Sequence, residues 1–181
     1  MLPDITLSDL KIQLAPGAGA LPFTPAVESF AAGLSAAAFA RIVEAGLAMV
    51  KSRLPVDVQF VGSQLTATGA EVTVRVKRSV LKAEIRAAIE LSTPKPDVIR
   101  IRFGEIAGPA WVPGGMVVEK AIEKAVARPG VTRAADDPRA VDTDPTVILK
   151  AFNLPVTLVQ PGAWTIESNP AAVNLSYSSG I

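Results

Sequence analysis

The stretch LKAEIRAAIELS, residues 81–92, alternates apolar Leu81, Ala83, Ile85, Ala87, Ile89 and Leu91 with Lys82, Glu84, Arg86, Ala88, Glu90 and Ser92. A period of two sends successive side chains to opposite faces, so this segment reads as an antiparallel strand with one apolar and one wet face. Val72, Val74 and Val76 repeat the pattern before it, and Ile99, Ile101 and Phe103 repeat it after. The apolar positions change from even to odd between Val76 and Leu81, which requires a turn or a bulge within 77–80. Strands are therefore predicted at about 56–68, 71–77, 81–92 and 97–106, with turns at Gly69 and around Pro94 and Pro96.

Working outward, residues 5–14 read as a first strand whose apolar parity slips at Ser8 and Asp9, as a bulge would cause. A loop follows over 15–20, and Thr24 with Pro25 is a helix-start signal that predicts a short helix to Ala32. A stronger helix opens at Leu34 and Ser35. Phe39, Ile42, Val43, Gly46, Leu47, Val50 and Leu54 share one face, Arg41, Glu44, Lys51 and Ser52 the other, and Pro55 ends it. Residues 104–115 form a Gly/Pro-rich connection carrying Trp111. A second helix is predicted over 116–128, with Val118, Ile122, Ala125 and Val126 facing inward. Residues 131–143 are polar and give no clear element. Asp144 and Pro145 look like the cap and first residue of a short helix through Phe152, and short strands are predicted at 156–160, 164–168 and 172–178. The order predicts a single α+β domain over 1–181, a single strongly curved antiparallel sheet wrapped around two main helices.

Composition narrows the function. Of 181 residues, 49% are hydrophobic and 19% charged, and 18 Lys plus Arg against 17 Asp plus Glu leave a net charge of +1. That balance argues against a nucleic-acid partner. The chain is long enough to bury a core without disulfides or metals. No apolar run reaches the ~18 residues needed to span a bilayer, and the start MLPDITLSDL lacks the features of a signal peptide, so the expected location is cytoplasmic.

With no histidine and no cysteine, catalytic triads, thiol nucleophiles, imidazole bases and the common zinc sites lack an essential member. Asp136, Asp137, Asp142 and Asp144 are the richest acidic cluster, but their spacing does not match a calcium loop, and they read as a solvated loop ending in a helix cap. The glycines of 108–115 precede a helix without the Lys-Ser/Thr pair of a phosphate loop. No catalytic residue, metal or cofactor is expected. The basic side chains Arg75, Lys77, Arg78, Lys82, Arg86, Arg100 and Arg102 are interleaved with acids, which favours cross-strand charge pairing over a patch for anionic head groups.

What remains distinctive is the pairing of long apolar faces with small residues on the first helix. The interior is either a filled core or a groove for an elongated apolar ligand. The run LSAAAFARIVEA, the following VDVQFVGSQLTATG, the alternating strands, and the late segment from Asp142 through Leu154, Pro155 and Val156 to Asn174 and Leu175 resemble small bacterial relatives of the tubular lipid-binding superfamily. The likeness covers residues 34–177. It implies a twisted antiparallel sheet around a long helix and a non-enzymatic lipid-binding role. The candidate ligand-binding residues are Phe39, Val43, Gly46, Val50, Ile85, Ile89, Ile101, Trp111 and Ile122, with Trp111 either a lid at the groove mouth or a plug in the core. The partners this allows are a lipid or other apolar small molecule, a membrane surface contacted peripherally, and a second copy of the chain. The alternative function is a structural or interaction module with a self-filled core that assembles through sheet edges. An enzyme working on an apolar substrate by carboxylate or water chemistry ranks last.

Overall fold

The computed structural model describes residues 5–16, 23–51, 54, 56–112, 114–147 and 157–180. In chain order the elements are β1 (Ile5–Pro16), β2 (Phe23–Ser35), α1 (Ala36–Lys51), β3 (Asp57–Thr66), β4 (Gly69–Arg78), β5 (Leu81–Lys95) and β6 (Val98–Ala107), then α2 (Gly114–Val126), β7 (Val131–Arg133), β8 (Ala140–Thr143), β9 (Thr157–Leu158), β10 (Gly162–Ser168) and β11 (Ala172–Ser179). They build two sheets. The first has the order β1-β2-β11-β10 with β9 added in parallel to β2, and the second runs β3-β4-β5-β6-β8-β7.

The protein is therefore mostly β, and the expected single curved sheet wrapped around two main helices is wrong. The error begins at β2, where Thr24 and Pro25 suggested a helix. Phe30, Ala32 and Leu34 there alternate with Ser29, Ala31 and Gly33, and the strand pairs with β1 on one side and β11 on the other, so its backbone polar groups are met by two ladders. Residues left without an assignment at 131–143 contain β7 and β8, which extend the second sheet beyond β6.

The second sheet follows the alternation closely. Val72, Val74, Val76 and Ile85 are buried with Val56 and Val58 on one face. Arg78 lies opposite Leu81, so the parity change comes from a two-residue turn at Ser79 and Val80 and not from a bulge. Both helices sit on this apolar face. In α1, the Ser35 hydroxyl caps the first turn by accepting the Ala38 N–H at 3.2 Å, and the Phe39, Val43, Leu47 stripe packs inward. In α2, Val118 and Ile122 are one turn apart and close over Val141 and Ile101. The first sheet joins the second through β10: the Trp164 N–H donates to the Pro96 carbonyl at 2.6 Å, and the Ser168 hydroxyl lies 2.7 Å from the Thr66 carbonyl. At that junction Phe30, Trp164 and Tyr177 form an aromatic cluster, with Trp164 and Tyr177 centroids 5.0 Å apart. Among the described residues no helix is long and apolar enough to cross a membrane.

Candidate ligand-binding face

The structure distributes the residues expected to line a groove over three packed clusters. Phe39 is buried with Leu65, Ala70 and Val173. Val43 bridges this cluster to the one holding Ile85, against which Ile89 and Trp111 also pack. Ile101 and Ile122 belong to a third cluster beneath α2. Gly46 is exposed, with no atom within 4 Å of where a β-carbon would stand, because it flanks the Phe39, Val43, Leu47 stripe and does not lie in it. The side chain of Val50 lies outside the described residues. The contact between α1 and the sheet is thus filled by Val43, Leu47 and Phe39, and Trp111 is half buried against the same core.

An open apolar surface occurs instead on the first sheet. Asp9 takes a positive φ of 53° and the ladder shifts register on both sides of Lys11, the bulge suggested by the parity slip. Leu7 lies opposite Ala32, Lys11 opposite Ser29, and Ile12 opposite Val27. The bulge therefore places Leu7, Leu10, Ile12 and Leu14 on the face that carries Phe30, and Thr6, Ser8, Lys11 and Gln13 on the other. Toward β10 this face is closed: Trp164 and Tyr177 are buried with Ile99 and Leu158, and Val27 and Phe30 are partly covered. Toward β1 it is open, with Leu7, Leu10, Ile12 and Leu14 exposed by 60%, 48%, 55% and 68%. On α1, Ile42 and Met49 are also exposed. The strand was legible in the sequence but its exposure was not, since alternation reports two faces without saying whether another element covers the apolar one.

Several charged groups outside this face are paired. Arg100 holds Asp142 at 2.7 Å and Asp136 at 2.8 Å, and Arg102 holds Asp137 at 2.8 Å and Glu90 at 3.2 Å. The Arg100 guanidinium keeps the Asp136 carboxyl below the usual carboxylate range. The Arg139 backbone N–H, with Arg102 second, does the same for Asp137. Asp144 caps the helical turn at 145–147 by accepting the Thr146 N–H at 2.8 Å. Among the described residues no three His, Cys, Asp or Glu side chains are grouped to hold a metal ion. A cleft of about 220 Å³ lies between Glu105, Pro109, Gly115 and Arg139 at the start of α2. It falls below the roughly 300–1,000 Å³ of ordinary ligand pockets. Neither region assembles a nucleophile with a base.

No family model, curated protein or solved structure matches the chain. The likeness to tubular lipid-binding proteins rests on the sequence alone, and function has to be argued from the surface itself.

Proposed function

We propose that this chain is a non-enzymatic binding protein for a lipid or another elongated apolar ligand, held along β1 on the open face of the first sheet. The observation that carries this reading is the row Leu7, Leu10, Ile12 and Leu14, exposed yet continuous with a buried aromatic cluster. Soluble proteins seldom leave such a contiguous row uncovered. At ~3.3 Å per residue, less the bulge, the row spans roughly 20 Å, longer than the ~15 Å half-thickness of a bilayer core, so an acyl chain laid along it is covered over its length. Completing the burial of four half-exposed Leu/Ile side chains at ~1.5–3 kcal/mol each supplies on the order of 4 kcal/mol, about a thousandfold in affinity.

A fluorescent polyene fatty acid titrated into the protein tests this. Saturable binding that is lost in Ile12→Glu/Leu14→Glu, with an unchanged melting midpoint, supports the reading. Absent binding, or binding indifferent to the pair, sinks it. The same strand favours a second reading. As the edge of its sheet, β1 turns a row of backbone donors and acceptors outward, a template for a second copy of the chain. Native mass spectrometry after detergent-free purification, with solvent extraction of the sample, separates the two: a co-purified lipid favours ligand binding, and a lipid-free dimer favours assembly.

A further inference from the structure

We infer that the tip of the β4–β5 hairpin docks on an anionic lipid bilayer, with Val80 and Leu81 entering the interface and Lys77, Arg78 and Lys82 meeting the phosphate and carboxylate head groups. Val80 is 89% exposed and Leu81 48% exposed, so at the far end of the hairpin one apolar side chain stands almost bare and the next is half exposed. The turn that lifts them is itself costly, since Ser79 takes a φ of 56° that residues other than glycine rarely adopt.

The charges around the tip differ from those along the rest of the strands. Farther from the turn they are neutralised: Arg75 lies directly opposite Glu84 and bonds it at 2.5 Å, and Arg86 reaches Glu71 at 3.8 Å. Nearer the turn the pattern reverses. Lys77 lies directly opposite Lys82, a like-charge cross-strand pair that weakens a sheet on its own account. Asp57, on the other side of Lys77, is engaged by Lys51 at 2.9 Å. Among the described residues Lys77, Arg78 and Lys82 make no ion pair. Arg75, Lys77 and Lys82 also border a shallow depression of about 220 Å³ with Asp57 and Gln59.

Apolar side chains ringed by cations that form no ion pair are complementary to one surface in both respects, an interface with negative head groups above hydrocarbon. A soluble polyanion matches the cations and leaves Val80 in water. The overall charge of +1 gives no long-range attraction, so the contact is local, within the ~10 Å over which exposed charges act at ordinary ionic strength.

Sedimentation with vesicles of phosphatidylcholine, with and without phosphatidylserine, tests the inference. The protein should partition onto the phosphatidylserine vesicles only, and added salt should release it. Lys77→Ala/Lys82→Ala should lower partition by roughly fivefold per cation removed. Val80→Asp should lower it further, and neither variant should melt below the parent, because Val80 is exposed and loss of the two lysines removes a like-charge pair. Ile12→Glu/Leu14→Glu should bind vesicles like the parent, so failure of the ligand face and failure of the tip are read separately. Equal partition on the two lipid compositions overturns the inference. So does loss of binding in the lysine variant with none in Val80→Asp, which marks the tip as a site for soluble polyanions.

Discussion

Arg100 and Asp142 face each other across the β6–β8 ladder and are joined by two hydrogen bonds, Nε to Oδ1 at 2.7 Å and Nη2 to Oδ2 at 3.0 Å. The same guanidinium reaches Asp136, so one cation fastens β8 and the turn that precedes it to β6. Arg100→Ala leaves two carboxylates without their cation and should lower the melting midpoint by several degrees. Arg100→Lys should recover only part of this, because an ammonium cannot form the paired contact. Thermal melts of the two variants check the order.

Asp136 and Asp137 are held below their ordinary value of 3.8 in the folded protein. A carboxyl depressed in this way contributes stability above its unfolded value and loses it as pH falls through its folded value. The contribution is therefore complete at neutral pH and fades only below about 3.8. The midpoint difference between Arg100→Ala and the parent should shrink across that acid range, and an unchanged difference would show that the pairing adds nothing there.

Val43 is partly buried between two clusters, so Val43→Asp should cost several kcal/mol by pressing an unpaired charge into an apolar contact. Ile122→Ala, at a fully buried site, should cost ~2–5 kcal/mol through the cavity it opens. Gly46→Ala meets no neighbour on the exposed side of α1 and should stabilise by up to ~1 kcal/mol, the helix penalty of glycine. Urea denaturation of the three variants gives these numbers directly. A Val43→Asp protein as stable as the parent would mean that α1 lies on the sheet more loosely than its contacts imply.

Trp111 packs against the Val56, Val58 and Ile85 core, so in Trp164→Phe it is the remaining indole and should emit to the blue of free tryptophan without any ligand. Lipid should leave that emission unmoved. A saturable shift on adding fatty acid would make the 108–112 segment part of the ligand site.

Ser79→Gly sets two effects against each other. Relief of the left-handed backbone is worth ~1–2 kcal/mol, and the extra freedom of glycine in the unfolded chain takes back ~0.5–1 kcal/mol. The net gain should be positive and below about 1.5 kcal/mol, visible as a small rise in melting midpoint.

Much of the second sheet could be read from residues because it is a meander of sequence neighbours. The strands expected at 71–77 and 81–92 are β4 and β5, and the helices expected from Leu34 and from Met116 are α1 and α2 to within a few residues. The partition into two sheets was not legible. It depends on β2 pairing with β11, where Tyr177 stands opposite Phe30, and no local period encodes a partner so distant in the chain. The open apolar face on β1 was not legible for a related reason. Apolar periodicity marked Val43 and Ile85 as inward-facing, which they are, but it cannot distinguish a face that meets another element from one that meets solvent, such as Leu7 to Leu14.

The first sheet is closed by strands from opposite ends of the sequence, β1 and β2 from one and β10 and β11 from the other. Bringing β2 to β11 closes a large chain loop, whereas β3 to β6 need only short turns, so the meander can condense first and the β2–β11 ladder should be the late event. Native-state hydrogen exchange should then find amides of β4 and β5 opening only with global unfolding, while those of β1 open in a smaller, separate step. A chain arranged in this way carries its most exposed apolar strand on the unit that assembles last and opens first. If β1 holds the proposed ligand, the moment of loading coincides with the final step of folding.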